Sequence, residues 1–161
     1  MSVYKKVFVP IDDSRASLLA LKEAIKIAKL CEAKIFLIHV IDLAQFSWGG
    51  AAYVQSGGDL KKETQDVGDK VLEHAREMLK EENIAFEESI LQTLGDKVAN
   101  LLAQEAVNSQ CDLIVMGTHG WTGVMHLLMG SVAEGVLRQS EIPVMMVRQP
   151  KSKDMEKTQE Q

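Results

Sequence analysis

A chain of 161 residues and 17.8 kDa is long enough to bury an adequate core without disulfides or metal. Its residues are 46% hydrophobic and 25% charged, ordinary globular values, while only 5% are aromatic, which argues against stacking platforms for single-stranded nucleic acid. A net charge of −5 and a pI near 5.4 lack the basic footprint of a protein that neutralises many phosphates, so no nucleic acid partner is expected.

In chain order, Val3 to Ile11 is rich in β-branched and aromatic residues and stops at Asp12-Asp13-Ser14, a cluster suited to capping a helix. That helix is predicted from Ser17 to Leu30, with Leu18, Leu21, Ile25 and Ala28 facing a sheet and Lys22, Lys26 and Lys29 facing solvent. Lys34 to Ile41 is a near-continuous apolar run, as expected of a strand covered on both faces. Interrupted by His39, it has fewer than half the roughly 20 residues a membrane span requires. No membrane partner follows from it.

From Asp42 to Asp59 the glycines at 49, 50, 57 and 58 favour a loop, long enough to form a lid. A second helix is predicted from about Leu60 to Glu82, its apolar face carrying Val67, Val71, Ala75, Met78 and Leu79. Ala85 to Leu91 reads as a short strand, and Gly95-Asp96 opens a third helix bearing Val98, Leu101, Leu102 and Ala106. Asp112 to Met116 is a short buried strand, Ser131 to Gln139 a fourth helix, and Pro143 to Arg148 the last strand. Strand and helix alternate throughout. The fold expected is α/β, a single doubly wound five-stranded parallel sheet flanked by four helices, occupying residues 1–148 and followed by a disordered polar tail, 149–161.

Met1 to Phe8 lacks the apolar core and cleavage site of a signal peptide, which makes the cytoplasm the expected location. Cys31 and Cys111 belong to no CxxC pair and read as buried reduced thiols.

Ligands of such sheets bind at the carboxyl ends of the strands, where connections diverge. Three stretches reach that edge: Pro10-Ile11-Asp12, His39 to Asp42, and Met116-Gly117-Thr118-His119-Gly120. Gly117 and Gly120 remove side chains there, allowing close backbone approach to a ligand and positive φ. Gly130-Ser131 opens a helix whose free N–H groups and dipole favour an anion, with the Ser131 hydroxyl as a further donor. The pattern is neither a P-loop nor GxGxxG, and glycines with a serine also begin helices that hold no ligand.

The spacing G-x2-G-x9-G-[ST], carried by Gly117, Gly120, Gly130 and Ser131, resembles the universal stress protein family, together with Pro10-x-Asp12 and the Pro143-Val144 strand. The resemblance covers about residues 2–148. It implies a Rossmann-like fold of the adenine nucleotide alpha hydrolase-like type that binds ATP, ADP or AMP, with Mg²⁺ arriving on the phosphates. Gly117, Gly120, Gly130, Ser131 and Val132 would surround phosphates and ribose, with His119 among the ligand-facing residues. Pro10, Ile11, Asp12, Val40 and Met116 would line the adenine and ribose pocket, Asp12 meeting the ribose or a metal ion. The resemblance further implies a stress-response or regulatory role in which nucleotide state orders loops near the pocket, and a homodimer through the final strand Pro143 to Arg148. That strand is apolar on both faces although it should lie at a sheet edge. Two positions depart from the family pattern, Trp121 standing where many relatives carry a basic or small residue and His126 where Lys or Arg is frequent, so weak positive charge is expected near a terminal phosphate.

Read without the resemblance, Asp12 is a strand-end cap; with it, a ligand contact. His119 and His126 read as hydrogen-bonding surface groups before acids or bases, His39 as structural and His74 as solvated. The methionines at 116, 125, 129, 145 and 146 read as core or interface filling. No catalytic residue and no zinc spacing emerge. The competing readings are slow ATP hydrolysis and a dimeric interaction module whose pocket has lost its ligand.

Overall fold

The computed structural model describes residues 2–44, 59–94, 97–120 and 129–150. Five strands, β1 Lys6–Pro10, β2 Lys34–Asp42, β3 Phe86–Thr93, β4 Leu113–Gly117 and β5 Val144–Val147, form one sheet in the order β3-β2-β1-β4-β5. Every neighbouring pair is parallel. The helices are α1 Arg15–Cys31, α2 Leu60–Glu81, α3 Val98–Asn108 and α4 Ser131–Gln139. The sheet grows outward from β1 through β2 to β3, then α3 carries the chain across to β4 on the other side of β1. Since crossovers of this kind are right-handed, α1 and α2 cover one face and α3 and α4 the other.

Alternation along the strands builds both layers at once. Val7 and Val9 of β1, Ile35 and Leu37 of β2, and Leu113 and Val115 of β4 pack with Ala20, Leu21 and Ala24 of α1 and Leu72, Ala75 and Leu79 of α2. Phe8, Phe36, Ile38, Ile114 and Met116 face the other way, onto Ala99, Leu102 and Ala106 of α3 and Ala133 and Val136 of α4. Phe8 and Phe36 stack with centroids 5.7 Å apart, a geometry worth about 0.5–1.5 kcal/mol beyond area burial.

Local chemistry sets the ends. Ser14 caps α1 by accepting the Ser17 N–H at 3.2 Å, and Glu32 closes that helix in the left-handed region at φ 54°. Asp59 caps α2, accepting from the N–H groups of Lys61 and Lys62. Opposite the ligand edge, the Asp112 carboxylate accepts from the Lys5 and Lys6 N–H groups at 2.8 and 3.2 Å, and the Lys6 ammonium donates to Glu87 at 2.5 Å.

Some expectations need correction. On α2, Leu72 is fully buried while Val67 is only half-buried, and on α1 Leu18 is half-buried where Ala20 and Ala24 are sealed. Cys111 is buried but Cys31 is half-exposed, and both are free thiols. The glycines of the expected 42–59 loop, the Gly95-Asp96 start of α3 and the tail beyond Pro150 lie outside the described residues, as do Trp121, Met125 and His126.

Candidate functional site

The site begins where β1 stops. Pro10 is the last paired residue of β1, opposite Ile38, and its ring leaves no N–H to extend the ladder. The Ile11 N–H still reaches the Ile38 carbonyl at 2.8 Å, after which the chain turns into α1. Asp12 makes that turn by accepting the Ser14 N–H at 2.9 Å, and Asp13 takes φ 59°. Meanwhile β2 continues to Asp42 and β4 to Gly117, so a crevice opens above the end of β1.

Backbone alternation decides what faces this crevice. In β2, Lys34 donates toward β1 and Ile35 toward β3, so even-numbered residues turn their N–H and C=O to the β1 side. Val40 therefore presents one donor and one acceptor past the last residue of β1. In β4, Ile114 and Thr118 donate toward β5, which turns the polar groups of Gly117 to the β1 side.

A cavity of about 260 Å³ fills the crevice. Pro10, Ile11 and Asp12 line it from β1, Val40 from β2, and Met116, Gly117, His119 and Gly120 from the end of β4. Gly130, Ser131 and Val132 close it from the start of α4. The three stretches and the helix start singled out in the sequence thus surround one space.

The glycines do their work differently from the expectation of positive φ: none of Gly117, Gly120 or Gly130 lies in the left-handed region. A Cβ on Gly117 would sit 3.0 Å from the backbone of Ala16, so this glycine lets the first turn of α1 close onto β4. A Cβ on Gly120 would meet the Asp12 carboxylate at 2.8 Å, so the loop after β4 and the acid after β1 touch across the cavity. Gly130 donates its N–H to the Thr118 carbonyl at 2.7 Å and precedes α4 at φ −73° without a side-chain cap. The first-turn N–H groups of α4 have no intrahelical acceptor, and the helix dipole makes that end attractive to an anion.

Several lining residues escaped the sequence reading: Ser17, Ile38, Ala133, and Val98 with Leu102 of α3, while His39 and Thr118 line the cavity from stretches the sequence placed at this edge. The two α3 residues are spaced i, i+4, which marks a buried face but not what that face meets. Thr118 is buried, its hydroxyl 3.0 Å from His119 Nδ1. His39 Nδ1 lies 2.8 Å from the Ile11 carbonyl, and because a carbonyl only accepts, Nδ1 carries the proton. Burial pushes the His39 pKa down, against the opposing pull of that hydrogen bond and of the Asp12 charge, so the ring is neutral at pH 7. Its role of tying β2 to the Asp12 turn agrees with the structural reading. His74 is exposed, with Nδ1 3.7 Å from Asp13 Oδ1.

Among the described lining residues, Asp12 supplies the carboxylate and no lysine or arginine contributes. Among the described residues, an anionic group bound here is met by backbone N–H groups, hydroxyls and imidazole. Among the described residues no group of three His, Cys, Asp or Glu side chains could hold a metal ion. No helix among them is long and apolar enough to cross a membrane.

The model of the Universal stress protein family matches residues 3–148. This chain belongs to the universal stress protein family. Universal stress protein MJ0531 of Methanocaldococcus jannaschii is 35% identical over 150 residues, covering 93% of this chain and 85% of the relative. The solved structure of protein MJ0577 is 27% identical with a TM-score of 0.76, over 92% of this chain and 99% of that one. Two more distant members have been solved with adenine nucleotides. One, bound to cAMP, is 24% identical with a TM-score of 0.63 over 92% of this chain and 98% of its own. The other, from Archaeoglobus fulgidus with dAMP, is 21% identical with a TM-score of 0.63 over 89% and 98%.

Proposed function

We propose that this universal stress protein binds an adenine nucleotide, ATP or one of its shorter relatives ADP and AMP, in the cavity above β1 and acts in the cytoplasm as a nucleotide-responsive regulatory protein. The observation that carries the proposal is one cavity with two unlike ends: the Val40 donor–acceptor pair among apolar side chains, and the uncapped start of α4 beside hydroxyls and His119. A heteroaromatic base suits the first end and a phosphate the second. The base lies among Pro10, Ile11, Val40 and Met116, the ribose reaches Asp12, and the phosphates lie along Gly117, Gly120, Gly130, Ser131 and Val132. Mg²⁺ fits as a companion of the phosphates, with Asp12 the carboxylate at hand. The cAMP and dAMP bound to other family members support the ligand class.

Isothermal titration with ATP and Mg²⁺ tests this, with saturable heat as the expected result. No heat at high micromolar protein rejects it. Loss of the signal in Gly130→Val, in a variant that melts like the parent chain, ties the binding to the start of α4.

We further propose a homodimer through the final strand. In support, β5 is an edge strand whose Met145 is 41% exposed although every residue of β5 is apolar.

A further inference from the structure

The two histidines that line the cavity are held by unlike partners. His39 Nδ1 faces the Ile11 carbonyl and so carries the proton, whereas His119 Nδ1 lies 3.0 Å from the Thr118 hydroxyl, a group able to donate or accept. Thr118 is 4% exposed, and its backbone is fixed on two sides. Its N–H donates to the Val147 carbonyl of β5 at 3.1 Å, and its carbonyl accepts the Gly130 N–H at 2.7 Å. Among the described residues, His119 Nδ1 is the single hydrogen-bond partner of the Thr118 hydroxyl.

We propose that Thr118 is a positioning residue for the phosphate end of the cavity: its hydroxyl donates to His119 Nδ1 and so holds the neutral ring as the tautomer with its proton on Nε2, a donor to phosphate oxygen. The phosphate role rests on the nucleotide reading above; the tautomer does not. If Nδ1 carried the proton, the buried hydroxyl would accept it and its own proton would have no acceptor, a loss of about 1–3 kcal/mol. The opposite assignment leaves only a hydroxyl lone pair unused, which costs less. The hydrogen bond at one ring nitrogen thus decides what the other nitrogen can do. His119 also stands at the right place, its Cα 3.6 Å from where a Cβ on Gly130 would sit, against the start of α4. Since no lysine or arginine is among the described lining residues, a ring that donates adds to the helix N–H groups, and a ring that accepts would turn a lone pair toward phosphate. Thr118 therefore favours phosphorylated ligands over the bare nucleoside.

Two-bond proton–nitrogen correlation spectra of the 15N-labelled full chain, recorded near about pH 8 where histidines are neutral, read the tautomer directly. His119 is expected to show the pattern of a ring protonated at Nε2 and His39 that of a ring protonated at Nδ1, each assigned by its loss in the corresponding His→Asn variant. A His119 ring protonated at Nδ1 overturns the proposal whatever the protein binds. In Thr118→Val, which keeps the shape and removes the hydroxyl, the His119 signals shift toward a mixture of tautomers. Titration calorimetry on that variant is expected to show ATP affinity about 3- to 10-fold lower and adenosine affinity unchanged, the range set by one hydrogen bond. Thr118→Ser restores both the spectrum and the affinity. An equal loss for ATP and adenosine makes Thr118 a packing residue and overturns the proposal; if Thr118→Val does not fold, the spectra of the unaltered protein and of Thr118→Ser still decide. Absence of ATP binding to the unaltered protein rejects the nucleotide reading, and the phosphate role of His119 with it, even where the spectra show the proton on Nε2.

Discussion

Gly117 and Gly120 stand three positions apart and are glycine for different reasons, which a pair of substitutions separates. In Gly117→Ala the new methyl lands 3.0 Å from backbone atoms of Ala16, which cannot swing away, so the first turn of α1 must lift from β4. We expect a loss of about 1–3 kcal/mol, read as a lower midpoint in denaturant. In Gly120→Ala the methyl meets only a carboxylate oxygen of Asp12, 2.8 Å away, which rotates aside. Stability then changes by less than about 1 kcal/mol, while ATP affinity falls about tenfold or more if, as proposed, Asp12 meets the ribose. His39 gives a pH signature of its own. Burial lowers its folded pKa below the ordinary value of 6.5, so the unfolded chain takes up the proton first as pH falls. Its contribution is whole above about pH 6.5 and is lost on descending through the folded pKa. His39→Asn should flatten that part of the curve in thermal melts between about pH 7 and pH 5; an unchanged slope would show that the ring takes up its proton in the folded chain as readily as in the unfolded one.

At the scale of elements, the contact between α3 and α4 sets the shape of the cavity wall. A Cβ on Gly135 of α4 would come 2.5 Å from Ala99 Cβ of α3, so the two helices touch at that point. Alanine gains about 1 kcal/mol of helix propensity over glycine, but the collision pushes the helices apart. We expect Gly135→Ala to be destabilising by about 1–3 kcal/mol, and a more stable variant would show that the contact is soft. The nine elements named among the described residues were legible in the sequence to within a few residues, because a two-sided parallel sheet makes strands short, apolar and flanked by turn residues. The face of a helix was harder to read. Leu72 rather than Val67 meets the sheet, and the pattern Val98-x3-Leu102 shows burial without showing that the buried face borders a cavity, because periodicity records that water is excluded and not what excludes it.

For the whole molecule, the order β3-β2-β1-β4-β5 puts the shortest reach at the centre of the sheet and leaves β5 open at one edge. A dimer through β5 predicts that light scattering at tens of micromolar gives twice the mass of the chain and that Met145→Lys gives the single mass. A persistent monomer in the parent chain contradicts it. The positions of the cavity residues followed from the glycine spacing and the strand ends, since both the switch point and a free helix start are consequences of topology. What could not be read was the contribution of α3, which depends on packing across the sheet. The account as a whole turns on a base at Val40 and phosphates at the start of α4. A crystal structure of the protein grown with ATP and Mg²⁺ measures this directly: the account predicts the purine edge on the N–H and C=O of Val40 beside Leu102, and phosphate oxygens on the N–H groups that follow Gly130. Nucleotide bound elsewhere, or a crevice above β1 closed by side chains, contradicts it.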